Sequence, residues 1–125
     1  MTREMTLAID CGGGGIKGSV VDERGTMMAP PRRVPTPYPL PPELLVETVV
    51  GLARELPAAT RVTMGMPGMI RHGVVIATPH YITRDGPRSR VLPELVESWD
   101  HFDMGHAIEQ ALGLPTKVLN DAEVA

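Results

Sequence analysis

Short apolar runs interrupted by glycine open the chain. Residues 5–11 (Met-Thr-Leu-Ala-Ile-Asp-Cys) form one such run, ending at a glycine block, and predict a strand. Ile16 and Ser19-Val20-Val21-Asp22 resume the pattern and predict a second strand over 16–22, closed by the turn Asp22-Glu23-Arg24-Gly25. A weaker third strand is expected over 26–29 and 32–34, broken at Pro30-Pro31. Residues 35–42 (Pro-Thr-Pro-Tyr-Pro-Leu-Pro-Pro) suit neither a helix interior nor a central strand, because proline lacks the amide donor and fixes φ; they read as an extended connector. The period then changes. Leu44, Leu45, Val49, Leu52 and Leu56 make a one-sided apolar stripe behind Pro42 and Glu43, which suit a first helical turn, and Pro57 stops it. Residues 62–66 and 74–77 predict strands with a loop over 67–73 between them. Residues 78–103 carry little periodicity beyond a short helix ending at Trp99 and an exposed loop at 84–88. Residues 104–112 predict a helix with Asp103 as N-cap and Gly113 at its end, followed by a strand at 117–119. Asn120 with Glu123 three places on resembles a capping box, so 120–125 reads as a first helical turn. An isolated turn is not stable, which makes a fragment of a longer protein the expected reading.

Composition narrows the function classes. At 125 residues the chain suits one domain. A formal net charge of -3 argues against a nucleic-acid binder, and 3% aromatic residues leave few stacking platforms. The single cysteine, Cys11, permits neither an internal disulfide nor a cysteine zinc site. No apolar run is long enough to span a membrane and the N-terminus lacks a signal-peptide pattern, so a cytoplasmic location is expected. Glycines cluster at 12–18 and prolines at 30–42, which points to one specific loop and one specific connector.

The glycine block is the strongest chemical signal. In Asp10-Cys11-Gly12-Gly13-Gly14-Gly15-Ile16-Lys17-Gly18 the P-loop pattern fails at both neighbours of Lys17. Gly13, Gly15 and Gly18 match the dinucleotide fingerprint literally, but a strand rather than a helix follows. What remains is an acidic residue ending one hairpin strand, a glycine turn, and a lysine entering the next. Backbone donors and Lys17 there suit phosphoryl oxygens, and the Asp10 carboxylate suits a hydrated Mg²⁺. A plain tight hairpin is the alternative, although four consecutive glycines are entropically costly for that purpose. Asn120-Asp121, directly after a strand, occupies a position where open α/β sheets bind ligands, and Asp121 suits proton acceptance from a hydroxyl; alone, the pair reads as a helix cap. Gly65-Met66-Pro67-Gly68 alone reads as a turn. His72, His80, His101 and His106 show no metal-ligand spacing, and no nucleophile-elbow motif occurs.

In their order, the segments Asp10–Gly18, Arg33–Glu43, Gly65–Val75 and Leu119–Ala125 resemble the sugar kinases of the ROK family, most closely the polyphosphate glucokinase branch. The resemblance implies an α/β, actin-like and ribonuclease H-like fold. This chain would be the N-terminal lobe of two, a mixed sheet with a β-hairpin phosphate loop and flanking helices. It implies phosphoryl transfer from polyphosphate or ATP to the 6-hydroxyl of glucose, with Mg²⁺. By position, Asp121 would be the general base, and Asn120, Gly65, Gly68 and His80 would face the sugar. Asp10, Gly12, Gly13, Gly14 and Lys17 would face the donor phosphates, Asp10 reaching the metal through bound water; no protein metal cluster is implied. Expected partners are glucose or a related sugar and polyphosphate or ATP, without nucleic acid or membrane, and with homodimerisation of the complete protein open.

Departures from the family pattern are specific. Gly14 replaces a common hydroxyl residue, His80 stands where an asparagine usually meets the sugar, and a segment is inserted before Trp99, near the expected sugar pocket. Two alternatives therefore stay open: a non-catalytic sugar sensor or transcriptional regulator of the family, and a kinase for another acceptor. Arg84, Arg88 and Arg90 suit either a polyanion path or a solvated loop. The lobe alone is expected to be catalytically inert.

Overall fold

The computed structural model describes residues 3–121. Three antiparallel strands come first: β1 (Thr6–Cys11), β2 (Gly15–Val21) and β3 (Arg32–Pro35). The connector leads into helix α1 (Pro42–Arg54), which returns the chain to β4 (Arg61–Met66), parallel to β1. A small antiparallel sheet follows, of β5 (Met69–Arg71), β6 (Val74–Ala77) and β7 (Phe102–Asp103), interrupted by α2 (Pro93–Trp99). Helix α3 (Met104–Leu112) then feeds β8 (Thr116–Asn120), parallel to β4. The main sheet therefore runs β3-β2-β1-β4-β8, mixed, with three parallel strands whose C-terminal ends share one edge of the molecule.

Alternation decides which face of that sheet is covered. Leu7, Ile9 and Cys11 of β1, Ile16 and Val20 of β2, Val62, Met64 and Met66 of β4, and Val118 of β8 are buried with Leu45, Val49 and Leu52 of α1 and Met104 and Ile108 of α3. Gly18 belongs to this face: a Cβ there would lie 3.2 Å from the Leu56 side chain and 3.5 Å from Cβ of Leu52, so its absence lets the end of α1 close onto β2. The opposite face carries Ala8, Asp10, Lys17, Ser19 and Thr63. Burial of the apolar set, at about 25 cal/mol per Å², is what fixes the register, because a one-residue slip would exchange the two faces.

The ends of α3 follow the predicted chemistry. Asp103 Oδ1 accepts the His106 amide at 2.9 Å, and Gly113, at φ 68°, donates its amide to Glu109 O at 2.8 Å. Helix α1 starts behind Pro41 with proline in its first turn and without a side-chain cap. Two expectations are corrected. Of residues 26–29 only Met27 pairs, as a lone bridge to Val21. The span 67–73 is not all loop: Met69–Arg71 forms β5, joined to β6 by His72 and Gly73 at φ 51° and 80°. Two successive left-handed residues match the two-residue hairpin turn favoured by sheet twist. Of the helical turn expected over 120–125, Asn120 ends β8 and Asp121 is helical, while Glu123 lies outside the described residues.

The single Trp, the single Phe and both tyrosines form one chain of ring contacts. Tyr38 meets Tyr81 at 6.4 Å between centroids, Tyr81 meets Trp99 at 5.8 Å, and Trp99 meets Phe102 at 6.1 Å. Trp99 Nε1 donates to Leu40 O at 2.8 Å, so the proline connector is pinned to α2. The aromatic residues thus serve the interior.

Candidate functional site

The β1–β2 turn consists of Gly12, Gly13 and Gly14, closed by the Gly12 amide on Gly15 O at 2.9 Å. Its other carbonyls are held from outside. Gly12 O accepts the Thr36 hydroxyl at 3.0 Å and the Tyr81 hydroxyl at 2.8 Å. Gly13 O accepts the Tyr38 hydroxyl at 2.7 Å, and Gly14 O accepts the Thr36 amide at 3.4 Å. Among the described residues the amides of Gly13 and Gly14 have no hydrogen-bond partner. The turn therefore turns its acceptors inward and keeps donors available, the polarity that an anion requires. Burial raises the titration of both tyrosines, so their hydroxyls stay protonated donors.

Register brings the charged residues to this turn. Asp10 lies opposite Lys17 on β2 and opposite Gly65 on β4. Asp10, Lys17, Ser19, Thr63 and Asp121 line one cleft of about 260 Å³. Two carboxylates and one ammonium thus meet across the C-terminal ends of β1, β4 and β8. Beneath them Cys11 is buried; burial pushes its thiol pKa up, and the carboxylates of Asp10 and Asp121 add to that shift. It is held as a neutral thiol.

A second cleft, about 550 Å³, is lined by Gly68, Met69, Ile70, Ala77, Pro79 and Asn120. The Asn120 side-chain amide donates to Gly68 O, which ties the main sheet to the small one. Gly68 has φ 113°, and a Cβ there would lie 2.0 Å from Ala77 O. Only glycine fits that crossing of two backbones. Thr78 closes the same corner by donating its hydroxyl to Pro67 O at 3.0 Å.

The residues singled out by sequence thus divide into two neighbouring groups. Asp10 and Lys17 share the first cleft with Asp121, and Gly12, Gly13 and Gly14 form the turn that joins their strands; Gly68 and Asn120 share the second, and Gly65 sits buried in β4. His80 is not brought to the second cleft. Its Cδ2 lies 3.6 Å from where a Gly13 Cβ would stand, so the imidazole borders the glycine turn, and Pro79 lines the cleft instead. The inserted segment behaves likewise. Pro87 Cγ comes within 3.0 Å of the same Gly13 position and Gly86 packs on the Tyr38 ring. Its base is closed by Arg84 N on Arg90 O at 2.8 Å and Leu92 N on Ile82 O at 2.8 Å. The inserted segment therefore rests on the glycine turn. Sequence reasoning missed Thr36, Tyr38, Tyr81 and Thr63; the only signal for the tyrosines was their rarity.

Among the described residues no group of three or more His, Cys, Asp or Glu side chains is placed to hold a metal ion, and no helix is long and apolar enough to cross a membrane. An exposed carboxylate beside a lysine and backbone donors suits a hydrated cation held through its water shell rather than an all-protein cage.

A mixed sheet led by a glycine hairpin, with Asp10 and Lys17 of that hairpin gathered with Asp121 in one cleft, is the frame of the lobe. Residues 6–125 match the ROK family, and the chain belongs to it. It is 30% identical over 121 residues to the N-acetylmannosamine kinase of Salmonella newport, covering 96% of this chain and 37% of that relative. The chain thus spans little over a third of the curated relatives it matches. The crystal structure of the inorganic polyphosphate/ATP-glucomannokinase of Arthrobacter sp. strain KM superposes with a TM-score of 0.72 at 34% identity, over 95% of this chain and 45% of that one. The ROK family glucokinase of Streptomyces griseus, in complex with glucose and AMPPNP, gives 0.72 at 26% identity, over 94% and 33%. The fold is that of the N-terminal lobe of the actin-like sugar kinases.

Proposed function

We propose that this chain is the N-terminal lobe of a sugar kinase that moves a terminal phosphoryl group from ATP or polyphosphate to the 6-hydroxyl of a hexose, glucose first among them. The observation that carries the reading is the glycine turn, its carbonyls tied back and its Gly13 and Gly14 amides unpartnered, joining the two strands whose Asp10 and Lys17 line one cleft with Asp121. In the reaction the sugar oxygen forms the new bond to phosphorus while the bond from phosphorus to the donor's bridging oxygen breaks. Asp121 accepts the hydroxyl proton as the oxygen attacks, and the departing oxygen carries the electron pair. Gly12, Gly13, Gly14 and Lys17 hold the donor oxygens in line. Mg²⁺, held by Asp10 through its water shell, would supply charge neutralisation on the donor. Asn120, Gly65 and Gly68 shape the sugar side, and the fixed Asn120–Gly68 bond sets its width. The position of His80 beside Gly13 supports a donor-side role for it rather than a sugar contact.

The Arthrobacter and Streptomyces relatives support the phosphoryl chemistry, and the N-acetylmannosamine kinase keeps an amino sugar among the acceptors to be assayed. The test is a coupled assay on the protein carrying both lobes, over a panel of hexoses, with ATP and polyphosphate as separate donors. Asp121→Asn is expected to abolish turnover and leave sugar binding largely intact. Near-normal turnover in that variant refutes the base assignment. Sugar binding without transfer from either donor refutes the kinase reading and leaves a sugar sensor.

A further inference from the structure

Arg33 is used by nothing described above. It sits on β3 directly opposite Lys17, which is itself opposite Asp10, so the three side chains share one face of the sheet. Its head group extends to Gly15. A Cβ built on Gly15 would lie 2.2 Å from Arg33 Nη2, 2.4 Å from Cζ and 2.7 Å from Nε. Gly15 pairs with Pro35, two places nearer the glycine turn than the Lys17–Arg33 pair. The guanidinium therefore reaches along the hairpin to Gly15 and occupies space that any side chain at 15 would fill. Among the described residues Arg33 makes no ion pair and no side-chain hydrogen bond. An unpaired planar cation thus rests next to a turn with available amide donors, and its five N–H groups match phosphoryl oxygens in a way a lysine does not.

We propose that Arg33 is a second cationic ligand, beside Lys17, for a linear chain of phosphoryl groups, and that residue 15 is glycine so that the guanidinium can lie there. The inference rests on the donor-side reading of the turn. It extends that site along β3, beyond the group being transferred. The chemistry is shared by the phosphates of a nucleoside triphosphate and by inorganic polyphosphate.

Two variants separate charge from position. Arg33→Gln removes the cation. Gly15→Ala keeps it but pushes it aside, and the fold tolerates this because the clashing atoms are the far end of a flexible side chain. In the two-lobed protein Arg33→Gln should raise donor KM about tenfold with kcat and sugar KM little changed, as loss of a charge-assisted contact does. Gly15→Ala should raise donor KM in the same direction, and Arg33→Lys should restore part of the loss. A rise with both ATP and polyphosphate supports the shared chain; a rise with one alone supports the proposal and names the source. Unchanged donor KM with both overturns it. Calorimetric titration with inorganic tripolyphosphate reads the same contact without turnover. Weaker binding by Arg33→Gln supports the proposal even if no sugar is phosphorylated, an outcome that would defeat the kinase reading alone. Equal affinity in the two proteins, or no binding by the unsubstituted one, overturns it.

Discussion

Gly68→Ala is the sharpest test of how the two sheets are joined. Gly68 has φ 113°, a region that alanine enters only with strain of about 1–3 kcal/mol. The new methyl would also stand 2.0 Å from Ala77 O, 2.9 Å from Thr78 Cα and 3.0 Å from Ala77 C. All three are backbone atoms, so no rotamer relieves the overlap, and β6 must move at a further cost of about 1–3 kcal/mol. The sum is about 4 kcal/mol, a large part of the roughly 5–15 kcal/mol that holds a domain folded. Urea unfolding followed by the fluorescence of buried Trp99 measures it. With a slope of about 2 kcal/mol per M, the midpoint should fall by about 2 M. Gly14→Ala is the control: nothing lies within 4 Å of its Cβ position, so a shift near zero is expected. Equal midpoints for the two variants would refute the argument that a backbone crossing demands glycine at 68. In the two-lobed protein Gly68→Ala should also raise sugar KM, since the Asn120 side chain is bonded to the carbonyl that moves.

Two further outcomes follow from buried and bonded groups. Cys11 is fully buried with a raised pKa, so thiol reagents should label it only as fast as the chain unfolds; prompt stoichiometric labelling without denaturant would contradict its placement. Backbone amides of Thr26 and Arg24, both 2.9 Å from Asp22 Oδ1, hold the Asp22 carboxyl below the usual carboxylate range. The stabilisation is therefore complete above that range and lost as pH falls through the lowered folded value, so Asp22→Asn should flatten the acid limb of a stability-versus-pH curve.

What could be read from sequence was whatever local chemistry dictates. The stripe Leu45, Val49, Leu52 defines one helix face, Asp103 and Gly113 mark both ends of α3, and glycines 12–15 announce a turn. Of the small sheet only β6 was legible, because β5 has three residues and β7 two, too few to show a period. Those strands exist because β6 offers them an edge. Residues 78–92 lack periodicity for a related reason: they are shaped by distant partners, such as Gly12 for Tyr81 and Tyr38 for Gly86. The same holds in the site. Asp10, Lys17 and Asp121 are nameable from their motifs, whereas the guanidinium of Arg33 over Gly15 follows only from strand register and from where one side chain bends.

The glycine turn has a consequence for the order in which this molecule is made. Three consecutive glycines have no conformational preference of their own, so the turn takes its shape from Thr36, Tyr38 and Tyr81. The last of these lies 69 residues downstream of its acceptor. A ribosome that has not yet released Tyr81 carries a β-hairpin whose turn is still loose, however well its strands are paired. If the turn holds donor phosphates as proposed, anion affinity should accordingly arrive late in synthesis, as a step after the hairpin has formed. A phosphate ligand would thus be excluded from directing the first stages of folding and would act only as a lock on the finished lobe.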